Sequence, residues 1–256
     1  MDIEAPSAKA FHVSGKQTPQ LQVPEIKYKV VSTYLHDREA YTEGLKFYQG
    51  SLYESTRVKG RTLSQLRHVE LETGDVVDSV ELAGSYLAEG LTILNEKIFQ
   101  LTENSDVGLI YDVKDLKQPA LEFEYKGWTK AWGLTDDGQY LIMSDGSSRL
   151  HLIHPESTEL IGKIDVVANG MPCGYLNELE RAGNFIYSNV LYSDLVVKIA
   201  TDGNVIGQVD VAALRPTETL RCVDCIPNGI AHDPASGDLF ITGKMWPKLF
   251  RISLFE

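Results

Sequence analysis

The sequence predicts an all-β fold, a five-bladed β-propeller in which the N-terminal strand closes the last blade. Three observations support it: a motif that recurs five times, an apolar run of strand length after each motif, and one extra strand-like segment before the first motif. In each motif a polar or aromatic residue stands two positions before a leucine or isoleucine. The motifs lie at 43–45, 89–91, 132–134, 177–179 and 228–230. Their last residues are 46, 43, 45 and 51 positions apart, a repeat period typical of propeller blades.

Each motif opens a unit of similar strands. The second strand of the units is predicted at 52–56, 98–102, 141–145, 185–189 and 239–243. The third is predicted in aliphatic and β-branched runs at 66–69, 109–113, 150–153, 195–199 and 249–252. A fourth strand is predicted in four units, at 76–82, 121–125, 160–166 and 205–211. Turn signals such as Asp136-Asp137-Gly138 separate the strands.

The fifth unit has no room for a fourth strand before Glu256, whereas an unassigned strand-like segment at 28–34 precedes the first unit. We expect this segment to complete the last sheet, because pairing it there removes an exposed strand edge. A repeat array that closes on itself has one core, so we predict a single domain at 25–256. Residues 1–24 contain three prolines among small and polar residues and are predicted to be a flexible leader.

Composition excludes several classes of function. The chain has 24 basic and 36 acidic residues and a formal net charge of −12, which argues against binding nucleic acid through its phosphates. It contains no run of about 18 apolar residues, so we predict no membrane-spanning segment. Residues 1–20 also lack the apolar core of a signal peptide.

The three cysteines, Cys173, Cys222 and Cys225, are too few for a disulfide scaffold. Cys222 and Cys225 form a lone CxxC, for which a local disulfide, a structural zinc site and two free thiols are all open. His151 and His154 are three apart in a predicted strand, so they would point to opposite faces and could not share a metal. We therefore predict no metal among the site residues.

The repeat also predicts where a site would lie. Equivalent positions at the start of each inner strand converge on one end of a propeller's channel, and these positions hold Glu43, Glu89, Trp132, Asn177 and Asn228. Two carboxylates, an indole and two amides would form a small polar pocket with an aromatic side. The alternative is structural: such residues can simply satisfy backbone groups around an ordered water or ion.

Eight segments, in order along the chain, resemble the motif series of the plant and bacterial type glutamine cyclotransferases. They are YTEGL at 41–45, LYEST at 52–56, AEGLT at 88–92, WGL at 132–134, LIMSDG at 141–146, NELE at 177–180, NGIA at 228–231 and TGKMWP at 242–247. The resemblance extends from about residue 28 to the C-terminus. It implies a five-bladed propeller with its active site at one mouth of the channel.

The resemblance further implies conversion of N-terminal glutamine to pyroglutamate with release of ammonia. It makes Glu89 the acid and base, with Trp132, Asn177 and Lys244 as candidate donors to the developing oxyanion. Amide cyclisation needs no cofactor, although the channel's carbonyls and carboxylates would suit a structural calcium ion. We expect a monomer acting on a peptide or small molecule with a free amine. Members of the family are mostly secreted or periplasmic.

The chain departs from the family's pattern around the pocket. Tyr41 and Glu43 stand where the pattern has phenylalanine and glutamine, and Leu87 stands where it has phenylalanine. Glu103 and Leu191 occupy positions where tryptophans are expected. With Asn228, these are the predicted substrate-binding residues. The departures leave two alternatives open: a divergent enzyme that cyclises or condenses another amine and acyl group, or an inactive propeller used as a binding module.

Overall fold

The computed structural model describes residues 21–58, 63–84, 86–103, 105–117, 121–125 and 130–255. These residues form five four-stranded antiparallel sheets. The first strand of each repeat contacts the first strands of the neighbouring repeats, and the contacts form a closed cycle around a central channel. The predicted five-bladed propeller is therefore confirmed. In the described part of the chain, no helix is long and apolar enough to cross a membrane.

The strands follow the repeat closely. The chain begins with β1 (Lys27–Leu35). Blade 1 contains β2 (Ala40–Tyr48), β3 (Ser51–Val58), β4 (Ser64–Val69) and β5 (Val76–Glu81). Blade 2 contains β6 (Leu87–Leu94), β7 (Lys97–Glu103), β8 (Val107–Asp112) and β9 (Leu121–Glu124). Blade 3 contains β10 (Leu134–Asp136), β11 (Leu141–Ser144), β12 (Arg149–Ile153) and β13 (Leu160–Asp165).

The second half of the ring adds two small features that the repeat did not predict. A short hairpin, β14 (Val167–Ala168) and β15 (Met171–Pro172), precedes blade 4. Blade 4 contains β16 (Leu176–Ala182), β17 (Phe185–Val190), β18 (Leu195–Ala200) and β19 (Val205–Asp210). Two short 3-10 helices follow, at Ala212–Leu214 and Thr217–Thr219. Blade 5 contains β20 (Pro227–His232), β21 (Leu239–Gly243) and β22 (Lys248–Phe255).

Burial falls from the channel to the rim. Every residue of β6 except the first is buried, whereas β5 and β13 are mostly exposed or half-buried. The core lies between blades, where apolar side chains of neighbouring sheets interlock. Trp246 of blade 5, for example, is fully buried in one cluster with Tyr187 of blade 4. Its indole N–H donates to the Cys225 carbonyl at 3.1 Å.

The N-terminal strand closes the ring as predicted. β1 pairs antiparallel with β22, from Lys27 opposite Phe255 to Leu35 opposite Lys248, with a bulge between Val30 and Ser32. The sheet order in blade 5 is β1-β22-β21-β20, so β1 is its outer strand. Without β1, the edge of β22 would present unpaired backbone groups.

The segment before β1 lies along blade 4. Ile26 N–H donates to the Gln208 carbonyl at 2.7 Å, and Gln208 N–H donates to the Pro24 carbonyl at 2.9 Å. Leu21 and Val23 pack against the core between blades 3 and 4. The leader was predicted at 1–24; its residues 1–20 lie outside the described part of the chain.

Buried and half-buried charged groups meet inside the channel. Lys46 of β2 lies 2.9 Å from a carboxylate oxygen of Glu180 in β16 and 3.8 Å from one of Asp136 in β10. Thr92 of β6 donates to Asp136 at 2.7 Å, and Glu180 accepts the backbone N–H of His232 at 3.0 Å. All five blades thus contribute to one polar cluster inside the ring.

Glu178 crosses the channel beside this cluster. Four of the five motifs have glycine at their middle position, and blade 4 has Glu178. Its Oε1 accepts the N–H of Leu45 in blade 1 at 3.2 Å, and its Oε2 accepts the N–H of Ile230 in blade 5 at 2.8 Å. Burial, and then the nearby Glu180, raise the pKa of Glu178 well above its usual value.

Candidate active site

A β-bulge lies at every motif. The register of the inner strand shifts across the motif in blades 1, 2, 4 and 5. In blade 3 two motif residues face one partner: Trp132 N–H donates to the Ser144 carbonyl at 2.9 Å, and Ser144 N–H donates to the Gly133 carbonyl at 3.0 Å. Bulges bend a strand and redirect its side chains. Here they turn the motif residues toward one mouth of the channel.

Five hydrogen bonds link the bulges to one another around the ring. The hydroxyl of Ser55 in blade 1 donates to the Glu89 carbonyl in blade 2, and the hydroxyl of Ser144 in blade 3 donates to the Asn177 carbonyl in blade 4 at 2.7 Å. Gly90 in blade 2 donates to the Trp132 carbonyl in blade 3 at 2.6 Å. The two remaining bonds are Gly229 N–H to Asn189 Oδ1 at 3.1 Å and Asn228 Nδ2 to the Thr42 carbonyl at 2.8 Å. Each blade is thereby joined to the next at the level of the motifs.

The motif residues surround a pocket with a volume of about 160 Å³. Eight of the ten predicted site residues line it. They are Tyr41, Glu43, Glu89, Glu103, Trp132, Asn177, Leu191 and Lys244. The pocket is smaller than the roughly 300–1,000 Å³ of sites that hold drug-sized ligands, so it is suited to one small group such as a single side chain.

The other two predicted residues lie outside the pocket wall. Leu87 is half-buried at the start of β6, paired with Glu103 of β7. Asn228 is fully buried behind the wall, and its amide donates to Glu43 Oε2 at 3.3 Å as well as to the Thr42 carbonyl. Asn228 therefore supports the pocket through Glu43 and does not line it.

Glu89 is the most deeply perturbed acid of the pocket. Glu89 is only 4% exposed, and its carboxyl accepts a hydrogen bond from the Arg57 guanidinium. Burial, and then the negative charge of Glu43, raise the pKa of Glu89 well above the usual value of a glutamate. A carboxyl of this kind can keep its proton toward neutral pH and can both donate and accept one.

Glu43 is held by two cations. Lys244 Nζ lies 2.6 Å from Glu43 Oε2, and Arg57 Nε lies 3.5 Å from Glu43 Oε1. The lysine ammonium also sits 4.3 Å from the centre of the Tyr41 ring, a cation–π arrangement. Burial lowers the pKa of Lys244, but Glu43, Tyr41 and Glu89 together outweigh burial and raise this pKa above its usual value. Lys244 is therefore a charged donor anchored to Glu43.

Four lining residues were not predicted from the sequence: Arg57, Tyr192, Asp224 and Ile226. Arg57 lies opposite Tyr41 in the pairing of β3 with β2. Its place in the pocket could have been predicted only from the register of these two strands. Tyr192 follows Leu191 directly, in the loop after β17.

Asp224 lies in the CxxC loop. Cys222 and Cys225 form a disulfide, which resolves the three alternatives left open for them, while Cys173 is free and buried. The disulfide loop forms part of the pocket mouth.

Among the described residues, no group of three or more histidines, cysteines, aspartates or glutamates is arranged to hold a metal ion. In the channel, the carboxylates of Glu180 and Asp136 have the ammonium of Lys46 as their cation.

Comparison with known proteins identifies the family. The family model described as glutamine cyclotransferase matches residues 5–254. The chain belongs to the glutamine cyclotransferase family. Over 233 residues it is 37% identical to a glutaminyl-peptide cyclotransferase of Arabidopsis thaliana, covering 88% of this chain and 71% of that protein. It is also similar to the crystal structure of Myxococcus xanthus glutaminyl cyclase, with a TM-score of 0.83, 32% identity, and coverage of 91% of this chain and 98% of that one.

Within this glutamine cyclotransferase, four of the five residues that depart from the family's pattern line the pocket, and Leu87 does not. Glu43 and Glu103 both contact Arg57, and Leu191 lines the same pocket. Arg57 therefore links two of the departures, Glu43 and Glu103.

Proposed function

We propose that this protein is a glutaminyl-peptide cyclotransferase, which converts N-terminal glutamine to pyroglutamate and releases ammonia. The observation that carries the proposal is the position of Glu89, a buried carboxyl with a raised pKa that lines a pocket the size of one side chain. Family membership and the names of the two relatives support the same reaction. Neither the divergent enzyme nor the inactive binding module is favoured by these findings.

The reaction joins two atoms of the same residue. The α-amine nitrogen attacks the carbon of the side-chain amide, a nitrogen–carbon bond forms, and the bond to the amide nitrogen breaks. Because nucleophile and electrophile are already tethered, the pocket mainly has to fold the side chain back and move protons. The α-amine has a pKa of roughly 7.7 to 8.0, so part of it is already nucleophilic near neutral pH.

Glu89 serves both proton transfers in this proposal. Its carboxylate accepts the proton that the attacking amine loses, and the resulting acid gives that proton to the departing nitrogen, which leaves as ammonia. No net proton is taken from the solvent. A raised pKa suits this exchange because the carboxyl must hold the proton between the two steps.

The amide oxygen gains negative charge as the amine attacks. Trp132, Asn177 and Lys244 line the pocket and are the donors we propose for this oxygen. Lys244 has three N–H groups, and its bond to Glu43 uses only one of them. The ammonium can therefore stay anchored while it faces the oxyanion.

Release of ammonia from glutaminyl dipeptides tests the function. We expect the wild type to turn over and Glu89→Gln to lose about 10²- to 10⁴-fold in kcat, the usual contribution of a positioned acid and base. Glu72→Gln, in the exposed turn between β4 and β5 and outside the pocket lining, is the matched control and should keep the wild-type rate. Full turnover by Glu89→Gln would refute its role, and an inactive wild type would favour the divergent enzyme or the binding module over the cyclotransferase.

Partners beyond the peptide substrate stay predictions. The net charge of −12 disfavours nucleic acid, and we expect a monomer in solution. Sedimentation at several protein concentrations would test the monomer.

A further inference from the structure

Arg57 connects the two blades that carry the acids of the pocket. It extends from β3 in blade 1, and its Nε donates to the Ala88 carbonyl of blade 2 at 3.2 Å. Its Nη2 donates to Glu89 Oε1 and, at 3.0 Å, to Glu103 Oε2. One guanidinium thus contacts both acids that blade 2 places at the mouth.

The same guanidinium also faces Glu43 at 3.5 Å, so it touches all three glutamates of the pocket. Three carboxylates packed together repel one another unless a cation lies between them. A planar guanidinium with five N–H donors can bind several carboxylates at once, whereas Glu43 is the one carboxylate that Lys244 contacts among the described residues. The charge balance of the pocket therefore depends on Arg57.

The three acids differ in their access to water. The side chains of Glu43 and Glu89 are 3% and 5% exposed, and that of Glu103 is 30% exposed. Arg57 reaches from the buried pair to the outer acid. Glu103 therefore acts as the counter-charge on the solvent side.

We propose that Arg57 is a positioning residue for the cyclisation, which holds Glu89 by its Oε1 oxygen and is itself held from outside by Glu103. This inference rests on the proposed function of the pocket. Because Arg57 occupies Oε1, it leaves Oε2 to exchange the proton with the two reacting nitrogens. Orienting one oxygen of an acid in this way is the usual task of a residue that acts through a catalytic group.

Several charged or titratable groups face Glu89 from the elements packed around it, counted over the described residues. They are Glu43 of β2, Arg57 of β3, Glu103 of β7, Tyr125 after β9 and Lys244 after β21, with Tyr41 and Asp224 on the pocket wall. Glu43 and Glu103 raise the pKa of Glu89, while Arg57 and Lys244 lower it. Removing Arg57 should therefore raise this pKa, and removing the charge of Glu103 should lower it.

The experiment compares Arg57→Met, Arg57→Lys and Glu103→Gln with the wild type. The first readout is the pH profile of kcat/KM with a glutaminyl dipeptide. The second is the NMR titration of the ¹³C-labelled Glu89 carboxyl, assigned with Glu89→Gln. We expect the acidic limb and the titration to move to higher pH in Arg57→Met, to lower pH in Glu103→Gln, and to stay near the wild type in Arg57→Lys.

At pH values below the pKa of Glu89, a rise of one unit in that pKa should lower kcat/KM about tenfold. Arg149→Met is the matched control, because Arg149 is an exposed arginine of β12 paired with Asp165. It should leave both readouts unchanged.

A structural role alone would lower the melting temperature of Arg57→Met without moving the Glu89 titration, and that result would overturn the proposal. So would shifts of the same sign in Arg57→Met and Glu103→Gln. If Arg57→Met fails to fold, the half-exposed Glu103→Gln decides by itself through the downward shift. If the wild type releases no ammonia, the proposed function fails, yet the NMR titration still decides whether Arg57 controls Glu89.

Discussion

Glu43 places a carboxylate in the pocket at a position where the family's pattern has the neutral amide of glutamine. It contacts Lys244 and Arg57, and it is buried to 3% exposure. A carboxylate held by two cations acts as a fixed anion beside Glu89. Its charge keeps Glu89 protonated to higher pH than burial alone would.

The change Glu43→Gln should therefore shift the activity profile. With the neighbouring anion gone, ionised Glu89 becomes easier to form, so its pKa falls and the acidic limb of kcat/KM moves to lower pH. The variant should also lose about 3–5 kcal/mol of stability, because Lys244 is left buried with its partner removed. The pH profile and urea unfolding measure the two effects. A limb that moves upward would contradict the assigned sign.

The role of the Glu178 carboxyl group, which links blades 1 and 5 across the channel, can be tested by substitution. Ionised or protonated, its carboxyl presents an oxygen to each of two backbone N–H groups, on Leu45 and Ile230. The amide of glutamine presents only one oxygen, so Glu178→Gln should leave one buried donor unpaired. We expect a loss of about 1–3 kcal/mol in urea unfolding. Glu72→Gln, in an exposed turn, should be neutral, and equal stability of the two variants would contradict the role given to Glu178.

At the scale of the elements, the bulges leave no space beside the motif glycines. A Cβ on Gly133 would lie 2.1 Å from the Asn177 carbonyl oxygen, and one on Gly90 would lie 2.4 Å from Leu134 N. In both cases the obstacle is the backbone of the next blade. Glycine at these positions therefore lets neighbouring inner strands approach closely.

Gly133→Ala should destabilise the protein by about 1–3 kcal/mol or more, because blades 3 and 4 must move apart. Gly84→Ala is the matched control, since a Cβ there meets nothing within 4 Å. It should be neutral or slightly stabilising. Thermal unfolding of both variants provides the measurement. If Gly133→Ala melts at the wild-type temperature, the close approach of the blades is not needed.

The elements were predictable because their signal is local and repeated. Strand-length apolar runs gave the second, third and fourth strands within a few residues, and the extra segment at 28–34 became β1 (Lys27–Leu35). Most pocket residues followed from the motif positions and the family's pattern. Arg57 did not, because its place depends on the register of β3 against β2. Asp224 and Ile226 also needed the structure, since their loop reaches the mouth only once the ring is closed.

At the scale of the whole molecule, one strand closes the ring. Without residues 27–35 the edge of β22 is open, so a chain beginning at His36 should melt at a lower temperature and associate as its concentration rises. A chain beginning at Leu21 keeps β1 and the contacts along blade 4, and it should melt like the full chain if residues 1–20 belong to the predicted leader. Thermal scans and size-exclusion chromatography measure these outcomes. A monomeric, fully stable chain from His36 would show that β1 is dispensable.

The five hydrogen bonds between bulges form a frame that holds the blades together beneath the side chains of the pocket. Three of them join a backbone group of one motif to a side chain of the adjacent blade, a fourth joins the Asn228 side chain to the Thr42 carbonyl, and the fifth is wholly backbone. Most pocket side chains can change without touching this frame. The substitutions at Glu103 and Leu191 are of this kind, whereas Glu43 accepts a hydrogen bond from Asn228, a member of the frame. Substrate preference in such a ring can therefore change through single substitutions of pocket side chains, while Glu89 stays in place.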